Sequence, residues 1–305
     1  MQGIELARKY YESYGHTMLK TQFAEVFDRI AVGLVGEGSE CLGFDDALSQ
    51  DHDFEPGFCL FITREDYEKF GFKLERAYAK LPRNFLGFQR LPLSPVGGNR
   101  HGVLIIEDFY SRFLGTQSAP QSNEHWLTLP STALLAASSG EMWKDDLGVF
   151  SSVRGILKSG YPEDVRLKKL AAHIVLMGQS GQYNLPRCLR REDLGAAQLC
   201  CMEFIRHTIS AVYLLNNQYE PFYKWAYRGI KVLPLLNDTE ALLTALIGAN
   251  DPICIVEQIA HNICDTVRNQ GLSDIQDNLL TAHAYEITKE IQDPNLRNMH
   301  IMDGI

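Results

Sequence analysis

The stretch that decides the fold runs from Ile30 to Ile62: IAVGLV (30–35), GEGSECLGFDDALSQDHD (36–53), then FEPG (54–57) and FCLFI (58–62). Two short apolar runs flank a glycine-rich turn and an acidic spacer. Each apolar run is too short for a stable helix and ends at turn residues, so both read as buried strands. Gly36 and Gly38 permit backbone shapes that bring amide N–H groups close to an anion, and Ser39 adds a hydroxyl donor. Asp51 and Asp53 are two apart, so in an extended segment both carboxylates face one way. Two carboxylates on one face repel unless a cation lies between them, and a hard ion such as Mg²⁺ suits oxygen ligands. His52 between them points the other way and reads as structural. Asp45 and Asp46 read as solvated spacer.

Outward from this stretch, residues 3–15 and 17–28 read as amphipathic helices. In the second, Met18, Phe23, Val26 and Phe27 share a face. Thr63-Arg-Glu-Asp66 reads as a capping box that opens a helix to Leu81. LPLSPVGGN (91–99) reads as a loop and GVLIIE (102–107) as a third strand, followed by a short helix ending at Gly115. TQSAPQSNEH (116–125) reads as a connection. Beyond it, helical periodicity dominates, over 130–140, 148–159, 162–181, 191–217, 221–235, 238–249, 252–270 and 276–292. The expected fold is therefore α+β: a small mixed-sheet domain over 1–125, then an all-α helical-bundle domain over 126–305, with the cleft between them as the default ligand site.

The 305 residues carry a net charge of −9. That balance disfavours stable DNA binding, which needs Lys and Arg against phosphate. No apolar run is long enough for a membrane span. The seven cysteines show no CxxC spacing, so a reducing, cytoplasmic setting is expected.

The pattern G-x-G-S39, spacer, D51-H-D53, apolar strand resembles the signature of the DNA polymerase β-type nucleotidyltransferase superfamily. The segments VFSSVRGILKSGYPEDVRLKKL (149–170), QSGQYNLPRCLRREDLGAAQL (179–199) and LLNNQYEPFYKWAYRGIKVLPLL (214–236) resemble a poorly characterised bacterial branch. In that branch a nucleotidyltransferase domain is fused to a helical domain of unknown function, an arrangement similar to the kanamycin-nucleotidyltransferase type. The resemblance implies Mg²⁺-dependent transfer of a nucleoside monophosphate from a nucleoside triphosphate to an acceptor hydroxyl, with release of pyrophosphate. Asp51 and Asp53 would hold two Mg²⁺ ions, with Mn²⁺ as the substitute. Glu107 would be the third carboxylate, ligand and base at once, with Asp108 and Glu55 as alternatives. Gly38 and Ser39 would grip the terminal phosphates. Lys224, after Pro221, and Arg191, which with Arg190 reads as a helix start, would add cationic contacts, and Asn216, Tyr219, Arg154 and Tyr183 contacts to base or acceptor. The acceptor is a small molecule, a protein side chain or an RNA end. The alternative is a catalytically weak or inactive nucleotide-binding regulator, an antitoxin-like partner. His207, His261 and His283 show no paired ligand spacing and read as ordinary helix residues.

Overall fold

A computed structural model describes residues 1–50, 54–90 and 100–305; Asp51, His52 and Asp53 lie outside the described residues. The architecture is α+β, and the chain divides into two compact units. Unit 1 comprises 1–120 and 133–159; unit 2 comprises 121–132 and 160–305. The expected boundary at 125 differs from this division, because 133–159 returns to unit 1.

Four short strands form the sheet of unit 1: β1 (Ala31–Leu34), β2 (Cys59–Ile62), β5 (Gly102–Ile105) and β6 (Glu141–Lys144), in the order β5-β2-β1-β6. A separate hairpin joins β3 (Asn84–Phe85) to β4 (Phe88–Gln89). β1 runs antiparallel to β2 and β6, and β2 runs parallel to β5, so the sheet is mixed. β2 is buried along its whole length because helices cover both faces. Phe58, Leu60 and Ile62 join Tyr10, Leu19 and Leu74 in one core. Phe61, pointing the other way by the period-two rule, stacks on Phe150 with centroids 4.1 Å apart. A strand covered on both faces must be apolar throughout, which is why FCLFI shows no alternation.

The helix expected over 3–15 runs on through Gly15, as Gly3–Tyr10, a π-helical segment Tyr11–Gly15 and His16–Gln22. Residues 24–28, the last part of the helix expected over 17–28, belong instead to a 3-10 segment, Ala24–Arg29. The Thr63 cap is present: its hydroxyl accepts from the Asp66 N–H at 3.2 Å. The other half of the expected box is not formed, since the Asp66 carboxylate pairs with Arg29. The third strand ends at Ile105, and Ile106–Leu114 is helical, so Glu107 lies in a helix rather than at a strand end. Asp45, expected in solvent, is buried; its Oδ2 accepts from the Gly3 N–H at 2.6 Å. That carboxylate caps a helix start, where the dipole favours negative charge.

The regular elements of unit 2 are all helices among the described residues. Its most enclosed helix is Glu163–Met177, although it opens with EDVRLKK. Four of the five charges there tie down another segment. Asp164 accepts from the N–H groups of Gln292 and Asp293 at 2.8 and 2.9 Å. Arg166 forks onto Glu163 and reaches the Leu214 carbonyl at 3.2 Å. Lys168 donates to the carbonyls of Met299 and His300, and Lys169 to that of Leu127. Burial pulls the Lys169 ammonium down to about 8.

Further along, His173 and His207 face each other, Nδ1 to Nδ1 at 3.0 Å. Burial, then the neighbouring ring, Lys169 and Arg206, pulls His173 down to about 3. Burial and Arg206 pull His207 down to about 4, against the opposing pull of Glu203. The folded pair therefore refuses protons that the unfolded chain accepts below about pH 6.5. Stability is full above that value and falls as pH drops towards about 4. Urea midpoints at about pH 7 and about pH 4.5 test this, with His173→Asn expected to lose less on acidification than the wild type.

Candidate functional site: a cavity at the end of β1

In unit 1 the chain leaves β1 through Gly36-Glu-Gly38 and enters the short helix Ser39–Leu42. Gly36 has φ +144°, a conformation open to glycine and strained for other residues. Two features brace this turn from 133–159. Ser139 Oγ donates to the Gly36 carbonyl at 2.7 Å, and the Gly140 N–H donates to the Cys41 carbonyl at 2.9 Å. Arg154 in turn donates to the carbonyls of Ser139 and Gly140. Arg154 was expected at a ligand; here its guanidinium braces the corner that holds the turn.

The turn forms one wall of a cavity of about 380 Å³. That is within the usual size of small-ligand sites. Arg100, His101 and Arg112 line it, as do Glu37, Glu40 and Asp108. Charges are paired across the walls: Arg112 with Glu37, Arg100 with Glu40 at 3.1 Å, and Arg64 with Asp108. His101 Nδ1 lies 3.2 Å from Glu55 Oε1. Val103, Phe109 and Phe113 supply apolar surface. Burial pushes the Cys41 thiol well up and that of Cys59 up to about 12, so neither offers a thiolate at neutral pH.

The sequence-expected residues are distributed unevenly around this cavity. Asp51 and Asp53 lie outside the described residues. Gly38 lines the cavity and caps the short helix, and Ser39 opens that helix beside it. Glu107 is not among the lining residues; its Oε2 accepts from the Arg64 N–H at 3.0 Å, at the start of the helix that follows β2. Among the described residues, no three His, Cys, Asp or Glu side chains converge to hold a metal ion. The described carboxylates therefore do not make a metal centre by themselves.

Arg191, Asn216, Tyr219 and Lys224 all belong to unit 2. Arg190 ends the helix Leu185–Arg190 and Arg191 caps its C-terminus, so the pair does not start a helix. Pro186 sits in the first turn of that helix, and Asp193 caps the next one, Leu194–Leu215. Asn216 lies at the far end of those 22 residues, about 33 Å along the axis from their start. Arg191 and Asn216 are thus not brought together. The Asn216 amide is engaged with the Val212 carbonyl and with both backbone groups of Leu235. Tyr219 is buried edge-on against Tyr161, with centroids 4.9 Å apart. Lys224 is exposed, its ammonium 5.1 Å from the Trp225 ring centre.

Residues 126–226 match the family model of a domain of unknown function (DUF4037). No curated protein and no solved structure matches the chain. The matched stretch runs through both units. It contains β6, the Ser139–Gly140 corner, Arg154 and the buried charges of Glu163–Met177.

Arg100, His101 and Arg112 were missed by sequence reasoning, because no motif contains them. The one available signal was position: Arg100-His101 stands immediately before the apolar run of β5, beside the entry to β2.

Proposed function

We propose that the cavity receives a nucleoside triphosphate, and that unit 1 passes its nucleotidyl group to an acceptor hydroxyl with release of pyrophosphate. Unit 1 is then the polymerase β-type nucleotidyltransferase domain and the helical unit a substrate- or nucleotide-binding domain. One observation carries the reading: the Gly36–Gly38 turn and the guanidinium groups of Arg100 and Arg112 line the same cavity. Backbone amides beside two forked cations suit a polyphosphate. Both arginines hold carboxylates in the structure, so a phosphate enters by exchange: Glu37 leaves Arg112 and Glu40 leaves Arg100. The apolar wall then accommodates the less charged part of the nucleotide. Asp51 and Asp53 remain the proposed holders of Mg²⁺, which when bound supplies charge neutralisation at the phosphates.

The second reading, nucleotide binding without transfer, is favoured by a specific observation: the Glu107 carboxylate is engaged by the Arg64 amide. One experiment separates the two. The chain is incubated with each of four α-labelled nucleoside triphosphates and a whole-cell extract as the source of acceptors. Label transfer that stops on chelation of divalent cations is expected. Triphosphate binding without transfer would favour the second reading, and no binding would sink both. Arg100→Ala and Arg112→Ala are each expected to weaken triphosphate binding about 10- to 100-fold by calorimetry, the usual worth of a charge-assisted contact.

A further inference from the structure

Transfer to a hydroxyl needs a group to take its proton, and the residue expected to do so does not line the cavity. Glu107 is held at the Arg64 amide. The other acidic groups of the cavity wall are already committed. Glu37, Glu40 and Asp108 each face a guanidinium, of Arg112, Arg100 and Arg64 in turn. Tyr67 donates its hydroxyl to Glu75 at 2.8 Å. Cys41 keeps its proton because burial raises its thiol.

His101 is different. It lines the cavity, and its Nδ1 is 3.2 Å from Glu55 Oε1. The two side chains are only 11% and 19% exposed. The imidazole packs on Gly57, where an added Cβ would come within 2.7 Å of ring atoms. Any side chain at 57 would push the ring off that position. Register explains why the pair forms: Cys59 pairs with Gly102, and the Gly102 N–H donates to the Phe58 carbonyl at 2.9 Å. The entries to β2 and β5 therefore run side by side and bring Glu55 next to His101. With Nδ1–H given to Glu55, Nε2 carries the free lone pair. A base oriented by a carboxylate through its second nitrogen is a recurring arrangement for activating a hydroxyl.

The geometry points to His101 as the base that activates the acceptor hydroxyl, with Glu55 as its positioning residue; this rests on the nucleotidyl-transfer reading. Nε2 takes the hydroxyl proton as the acceptor oxygen forms its bond to the α-phosphorus. The bond from that phosphorus to the oxygen bridging to the β-phosphate breaks, and pyrophosphate leaves with the electron pair. The imidazolium then passes its proton to the departing pyrophosphate or to water. The acceptor is accordingly an alcohol or phenol, whose proton must be removed as it attacks.

The test uses the full chain, whichever labelled triphosphate gives transfer with extract, and calorimetry of that same triphosphate. His101→Ala is expected to lower the transfer rate by about 10²- to 10⁴-fold, the usual contribution of general base catalysis, with triphosphate affinity within about threefold of wild type. Added imidazole is expected to restore part of the loss. Glu55→Gln is expected to lower the rate about tenfold with KM for the triphosphate unchanged, through lost orientation of the ring. His101→Gln serves as the second variant if alanine at 101 does not fold. Wild-type transfer in the His101 variants would overturn the base while leaving the transfer reading intact. Joint loss of binding and transfer, without imidazole rescue, would assign His101 to structure and overturn it too. Absence of transfer in the wild type would overturn the transfer reading, and the base with it.

Discussion

Gly140→Val is expected to abolish the folded state of unit 1, at a cost above about 4 kcal/mol, the range reserved for backbone strain combined with clash. Gly140 has φ +70°, and an added Cβ would lie 2.0 Å from the Leu34 carbonyl oxygen and 3.1 Å from the Val35 Cα. These are backbone atoms of β1 and its exit, held by pairing on both sides, so they cannot swing away as a side chain would. A β-branched residue adds its own penalty for the left-handed region. Gly148 provides the control. It has φ +68° with open space around its Cβ, so Gly148→Val carries the backbone penalty alone. Urea unfolding of the two variants distinguishes clash from strain. Equal midpoints would show that the corner at 140 yields and would sink the prediction. On the proposed reading, because the same corner donates to the Cys41 carbonyl, a Gly140 variant that keeps some folded unit 1 should also bind triphosphate poorly.

Lys168→Met should cost about 3 kcal/mol, in line with the loss of charge-assisted bonds from a buried cation. The residue is fully buried, and its ammonium donates to the carbonyls of Met299 and His300 at 2.9 and 2.8 Å. Methionine fills similar volume but leaves both carbonyls without this donor. Gly304 lies against the same helix, where an added Cβ would come within 2.7 Å of the Lys168 carbonyl oxygen. The expected signature is local: amide hydrogen exchange over 294–304 should accelerate more than in Leu194–Leu215. Uniform acceleration across unit 2 would mean that the lysine supports the whole unit and would refute a clamp on the last segment.

The strands β1, β2 and β5 were legible because each is apolar and bounded by turns. β6 was not. All four positions of Glu-Met-Trp-Lys are half-buried, so neither alternation nor an apolar run marks them. Its strand character comes from an edge of β1 more than 100 residues away, which no local pattern can encode. The extent of the helices was better marked by periodicity than their ends were. The expected start at Arg190 and Arg191 ignored Pro186 and Asp193, which are the better punctuation. The glycine turn of the cavity was visible because glycine has few other reasons to recur at that spacing. Its cations were not, since an arginine carries no sign of what it faces until the chain has folded. Asp45 illustrates the same limit: acids in a spacer look solvated until the fold brings up the Gly3 N–H, 42 residues earlier in the chain.

The return of 133–159 to unit 1 has a consequence for how the chain is made. β1 emerges early but receives its outer neighbour, β6, only after the excursion of 121–132 into unit 2. Until then one side of β1 presents bare amide and carbonyl groups, a template on which another growing chain could pair. A fragment cut at 125 would keep that edge open permanently and be prone to self-association, whereas one reaching 159 carries its own cover.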